Sequence, residues 1–142
     1  MSEHSLKNCS ALLKENGIKP SFQRVKIMEF LQNHYLHPTV NEIYDALIGE
    51  IPSLSKTTVY NTLNLMKEHS LVNVLMISDT EARYDTRLET HGHFFCKCCK
   101  SISDIDINLQ EGLLSGVSKC NIDTIEVNVT GICEKCKEKN RA

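Results

Sequence analysis

Cys96-x-x-Cys99 and Cys133-x-x-Cys136 are two cysteine pairs of one spacing with 33 residues between them. A C-x-x-C turn lets two thiolates reach one ion, and two such turns make a tetrahedral, all-sulfur shell with no open position. The spacing therefore predicts a structural Zn2+ held by Cys96, Cys99, Cys133 and Cys136, which ties the middle of the chain to its end. A small module stapled in this way depends on the ion to fold. Cys98 crowds the first turn, but the i, i+3 spacing favours Cys96 with Cys99. A thioredoxin-like redox role for one pair would want a βαβ setting.

The chain has seven cysteines, an odd number that argues against a pure disulfide framework. No run approaches the ~20 apolar residues of a membrane helix, and MSEHSLKNCS lacks the apolar stretch of a secretory leader. These features predict a cytoplasmic protein with no membrane partner, where clustered cysteines bind metal or do redox chemistry.

Upstream of the cysteines the apolar residues recur at helical spacing. Leu6, Cys9, Leu12 and Leu13 share one face, and Gly17 is a C-terminal stop. Phe22, Val25, Met28 and Leu31 mark a second helix over 21–34. Thr39-Val-Asn-Glu42 reads as a capping box for a third, with Val40, Ile43, Tyr44 and Leu47 inward. Ser55 caps a fourth over 56–69, whose inward stripe is Val59, Leu63 and Met66.

The period then changes to two. Residues 71–77 and 82–86 flank Ser78-Asp79-Thr80 as a hairpin. Helices followed by a hairpin are the arrangement of a winged helix-turn-helix, in which Lys56, Thr57, Thr58, Tyr60 and Asn61 at the start of helix four would face a major groove. The alternative is a small helical domain with a solvated face. Charge does not decide, because the net charge is −2 and residues 1–85 hold eight Lys and Arg against ten Asp and Glu. A DNA-binding role must rest on local geometry.

Beyond the hinge near 86–90, strands over 91–96 and 101–107, a helix over 109–119 capped by Asn108, and a strand over 122–129 predict an α+β module. The expected domains are 1–86 and 87–142. His91 and His93 point to one face of their strand, and Asp104 and Asp106 share that alternation on the next. Imidazole with carboxylate suits divalent iron, manganese or zinc, although such residues are also ordinary on an exposed strand. His37, before Pro38, and Asp85, before the hinge, could complete a site with His91, His93 and one aspartate, and so clamp the modules together.

Pro20-Ser-Phe-Gln23-Arg24, His37-Pro38-Thr39, Thr57-Thr-Val-Tyr60-Asn61-Thr-Leu63, the His91 to Cys99 cluster and Cys133-Glu-Lys-Cys136 together resemble the ferric uptake regulator family, and within it the peroxide-sensing repressors. The likeness runs in one order over nearly the whole chain. It implies a homodimeric DNA-binding repressor, not an enzyme, with an N-terminal winged helix and a C-terminal α+β dimerisation domain. By that likeness His37, Asp85, His91, His93 and Asp104 are ligands of a regulatory Fe2+ or Mn2+, and Arg24 joins the DNA contacts on double-stranded operator DNA. The same likeness implies that His37 and His91 are the ligands open to oxidation by peroxide. Asp104 in place of Glu, Asn61 in place of Arg, and the absence of further histidine ligands favour the peroxide branch. Lys100 stands where the family commonly has Gly, and Cys98 is unusual.

Three other readings remain at this point, one of them a cytosolic metal buffer, which would show no sequence-selective DNA binding with or without metal. A regulator of iron, manganese or zinc uptake would share the fold and respond to metal level alone. An iron enzyme would need a substrate pocket, and the sequence has neither a glycine-rich phosphate loop nor a nucleophile elbow.

Overall fold

Helix α1 (Glu3–Glu15) stops at Gly17 because that residue is left-handed, at φ +80°. Ile18 N–H bonds Leu13 O at 2.9 Å and Gly17 N–H bonds Lys14 O at 3.1 Å, the paired closure of a Schellman motif. The computed structural model describes residues 3–33, 37–76, 81–86, 92–107, 114–123 and 125–139, with side chains from residue 8 onward. The chain divides into two compact units, Met1–Leu88 and Glu89–Ala142.

In the first unit α1 is followed by α2 (Phe22–Asn33), α3 (Val40–Leu47), α4 (Lys56–Glu68) and the strands β1 (Asn73–Leu75) and β2 (Arg83–Asp85). Both expected caps form. Thr39 Oγ1 accepts from Glu42 N–H while Glu42 Oε2 accepts from Thr39 N–H, and Ser55 Oγ accepts from Thr58 N–H at 3.0 Å. The inward residues Ile43, Val59, Leu63 and Met66 are fully buried and join Cys9, Leu13, Ile27 and Met28 in one core. Phe22 departs from the pattern, since it is in phase with Val25 but 61% exposed. It opens α2, where the Lys26 ammonium and not the core lies over its ring, 5.7 Å from the centroid; Ile27 is buried instead.

β1 and β2 pair antiparallel, Val74 opposite Tyr84. The strands are shorter than the periodicity predicts. Leu71 N–H closes α4 by bonding Met66 O at 2.9 Å, and Leu71 and Val72 fill the core, so neither is part of the ladder. The expected turn 78–80 lies outside the described residues. Four helices followed by this hairpin form a winged helix.

The second unit is a three-stranded sheet of order β4-β3-β5: β3 (Gly92–Cys96), β4 (Ile102–Ile105) and β5 (Val127–Gly131). β4 runs antiparallel to β3 and β5 parallel to it. Gly92 permits this packing, because a Cβ there would stand 2.7 Å from Ile105 Cγ1.

Two expectations need correction. Residues 114–119 form bends and turns in place of the end of a helix over 109–119, because Gly116 takes φ +82°; Asn108 and 109–113 lie outside the described residues. The strand expected over 122–129 is instead Val127–Gly131, set by a register that puts Val127 opposite Gly92. Past β5 the chain forms helix α5 (Glu134–Lys139), with Glu134 in its first turn and Lys137 and Lys139 in its last, the order that suits the helix dipole.

Candidate metal centres and DNA-reading face

Cys96 ends β3, Cys99 follows in the next turn, Cys133 precedes α5 and Cys136 faces inward from it. One sulfur from each lies within 4.8 Å of the others, so the four can hold one metal ion. The backbone prepares this. Cys96 N–H bonds Ser101 O at 3.0 Å and Lys100 N–H bonds Cys96 O at 2.9 Å, a tight turn in which Lys100 is left-handed at φ +63°. Amide N–H groups of Cys133 and Cys99 point at Cys96 Sγ, at 3.3 and 3.5 Å.

These donors, led by Cys133 N–H, hold the Cys96 thiol down at about 6. The Ser101 hydroxyl, 3.0 Å from Cys99 Sγ, is the leading cause of a lowered value at Cys99. The Cys136 thiol is pushed up, first by the Cys133 thiol beside it and then by burial. The cluster thus favours thiolate at its first turn and a proton at Cys136, which a cation would displace. Ser101 is a contributor that spacing alone does not reveal.

Among the described residues two histidine–carboxylate pairs form, one in each unit. In the first, His37 Nε2 is 3.7 Å from Asp85 Oδ2, with both side chains buried. In the second, β3–β4 register puts His93 directly opposite Asp104, with Nε2 3.5 Å from Oδ1. Asp106 lies just past the end of β4, and this is what separates the two candidate aspartates. Both separations exceed the ~2.7–3.2 Å of a good hydrogen bond, and approach the ~3–3.5 Å between two donors that share an ion at about 2.1 Å. His91 lies outside the described residues.

His37 is also unusual in its main chain, at φ +52°. Side chains rarely adopt that region, and a following proline disfavours helical backbone further. Arg83 NH1 donates to His37 O at 3.2 Å and Tyr84 N–H donates to Pro38 O at 3.0 Å. Arg83 shares a strand face with Asp85 by simple alternation, a signal present in the sequence.

At the start of α4, Lys56, Thr57, Tyr60 and Asn61 are exposed and Thr58 is half-buried. A polar cleft of about 470 Å³ separates this helix from the start of α2, lined by Lys19, Ser21, Gln23, Arg24, Thr58 and Asn61. Arg24 is held at its rim by a 2.8 Å bond from NH1 to Lys19 O. Four neutral donors or acceptors and two cations around one groove are chemistry that can meet phosphates and base edges.

Residues 15–131 match the model of the ferric uptake regulator family. The chain belongs to the ferric uptake regulator family. Within it, the chain is 34% identical over 142 residues to the peroxide operon regulator of Bacillus subtilis (strain 168), covering 98% of each. It is 31% identical over 140 residues to the peroxide-responsive repressor PerR of Staphylococcus aureus (strain Mu50), covering 96% of this chain and 95% of that one. Among solved structures, the ferric uptake regulator Fur of Helicobacter pylori shares the fold at a TM-score of 0.77 and 24% identity, covering 95% and 93%. PerR of Streptococcus pyogenes aligns at 0.53 and 27% identity, covering 93% and 92%. The α+β architecture, a winged helix followed by a small sheet unit with a four-cysteine cluster, is that of the ferric uptake regulator family.

Proposed function

We propose that the chain is a metal-dependent transcriptional repressor that senses hydrogen peroxide by oxidation of its own regulatory ligands. The observation that carries the reading is the pairing of a buried histidine with a carboxylate in each unit, His37 with Asp85 and His93 with Asp104. Together with His91 these supply three imidazole nitrogens and two carboxylates. That donor set suits Fe2+ or Mn2+ and neutralises the ion's charge. The four cysteines suit a structural Zn2+, since thiolate ligands in a closed tetrahedral set favour it. The names of the Bacillus and Staphylococcus relatives support the peroxide branch.

Residues 1–86 are the DNA-binding domain and 87–142 the dimerisation and metal-binding domain, with the hinge between them. Ligands from both sides of that hinge would fix the angle between the domains. In a homodimer this sets the spacing of the two α4 helices against successive major-groove faces, about 34 Å or a multiple. Lys56, Thr57, Thr58, Tyr60 and Asn61 read the groove, and Arg24 contacts phosphate. A ferrous ion held by these residues would supply the reducing equivalent for cleaving the O–O bond of hydrogen peroxide. In the net reaction His37 or His91 would lose two electrons and gain one oxygen atom while the other peroxide oxygen leaves as water. The oxidised ring, a poor ligand, would let the ion and the DNA go. No described helix is long and apolar enough to cross a membrane, in keeping with a protein that works on DNA in the cytoplasm.

The test is mass spectrometry of the peptides spanning His37 and His91 after the iron-loaded protein meets peroxide, with operator affinity measured in parallel at one salt concentration. One added oxygen on either histidine and loss of DNA binding are expected. Metal-dependent DNA binding with no added oxygen would replace the sensor by a regulator of metal uptake.

A further inference from the structure

We propose that Arg83 is a positioning residue for the regulatory ion, holding the main chain of His37 and linking that ligand to the first helix of the helix-turn-helix. The inference rests on the reading of His37 as a ligand. It starts from a conflict. His37 is left-handed immediately before a proline, a backbone state that neither residue favours. Backbone of this kind persists where its surroundings over-determine it.

Arg83 is the side chain that does so. Its NH1 donates to His37 O at 3.2 Å, and the next residue on β2, Tyr84, donates from its amide to Pro38 O at 3.0 Å. Two consecutive carbonyls of the 37–38 segment are therefore bonded to two consecutive residues of β2. The residue after those, Asp85, faces the His37 imidazole at 3.7 Å. A single three-residue strand thus fixes the histidine's main chain and presents the carboxylate that faces its ring.

The same guanidinium reaches α3. Arg83 NH1 lies 3.9 Å from Glu42 Oε1, while Glu42 Oε2 accepts the Thr39 N–H that begins the helix. Asn41 Nδ2 bonds Glu81 Oε1 at 3.3 Å, a second tie from the start of α3 to the segment that leads into β2. α3 packs on α4, the helix that carries Lys56 to Asn61. Any change in the His37 main chain on metal binding or oxidation is thereby conveyed to the reading head through Arg83 and Glu42, within one unit and without the hinge. Arg83 is only 18% exposed, which sets it apart from a phosphate-binding arginine.

The experiment uses full-length Arg83→Met, Arg83→Lys and Asp85→Asn. Manganese affinity is read by competition with a fluorescent chelator, and the melting temperature is measured with manganese removed. Residues that orient a ligand from behind typically cost ten- to a hundredfold in metal affinity when lost. Arg83→Met is expected to weaken manganese binding by at least about tenfold, with the metal-free melting temperature little changed. Arg83→Lys recovers part of the loss, because one ammonium can still reach the His37 carbonyl.

Unchanged manganese affinity in Arg83→Met, with a loss in Asp85→Asn, overturns the positioning role alone. Unchanged affinity in both overturns the ligand reading beneath it. Should Arg83→Met not fold, Glu42→Gln carries the test, since its amide oxygen still caps Thr39 but no longer attracts the guanidinium. A fall in manganese affinity then supports the link, and parental affinity overturns it.

Discussion

Removing the ion from the four cysteines should unfold the second unit and leave the first standing. Among the described residues, the contiguous apolar core consists wholly of residues from Cys9 to Tyr84. Among the described residues of the second unit, the buried hydrophobic ones are Phe95, Cys96 and Cys136. Burying one phenylalanine stabilises by about 2–3 kcal/mol, whereas a structural zinc in a small domain contributes ~10–16 kcal/mol at neutral pH. The metal term is several times larger, so the second unit has little to hold it once the ion is gone.

Thiol titration with an aromatic disulfide reagent reads this directly. Six of the seven cysteines follow residue 95, while Cys9 is fully buried in the first core. Loaded protein should react fast at the exposed Cys98 and Cys120, which stand outside the cluster. Stripped protein should react fast at six and slowly at Cys9. Far-ultraviolet circular dichroism should change little, since α1 to α4 hold 13, 12, 8 and 13 helical residues and α5 only 6. Fast reaction at Cys9 after stripping would refute independent stability of the first unit. Two fast thiols before and after would refute the metal's structural role.

Ser70 closes α4 at φ +59°. A non-glycine residue costs about 1–2 kcal/mol there, offset partly by glycine's entropy, so Ser70→Gly should raise stability by ~0.5–1 kcal/mol in urea titration. Lys100→Gly should gain less, because the ammonium over the Phe95 ring is lost with it. Gly92→Ala should lower stability by about 1–3 kcal/mol through overpacking against Ile105, seen in the melting of the metal-loaded protein. Cys9 is raised above its ordinary value of 9.0 by burial and then by Glu29, and its thiol donates to Gln32 Oε1 at 3.2 Å. The folded state favours the protonated form, so this stabilisation is complete below pH 9 and lost as pH climbs beyond it; Cys9→Ala should flatten that alkaline fall in urea midpoints. In binding titrations Arg24→Ala should lower the salt slope by about one with little effect on sequence preference, whereas Asn61→Ala should relax preference at one base pair.

Much of this was legible because short-range rules govern it. Thr39 with Glu42 and Ser55 with Thr58 are local caps, and the i, i+3 cysteines announce their own convergence. The cross-strand meeting of His93 and Asp104 follows from period two once a turn of fixed length joins the strands. What escaped the sequence depends on long-range packing or on backbone state. Phe22 is in phase with its neighbours but meets the Lys26 ammonium and not the core, and Gly116 breaks a pattern that otherwise suits a helix. The charged residues of α5 gain order from Cys136 turned inward. His37 gives no sign of its left-handed backbone, because the groups that hold it are 46 residues away at Arg83.

The parallel pairing of β3 with β5 sets Gly92 against Val127, across 35 positions of chain. Closing a loop of that length costs about 3 kcal/mol beyond a constant, before any ladder bond repays it. An ion gripped by the cysteines near the two ends of that loop would offset this cost, so maturation of newly made polypeptide should follow the supply of the ion. A starved cell would accumulate molecules finished at the front and unfinished at the back, silent as repressors and open to proteases.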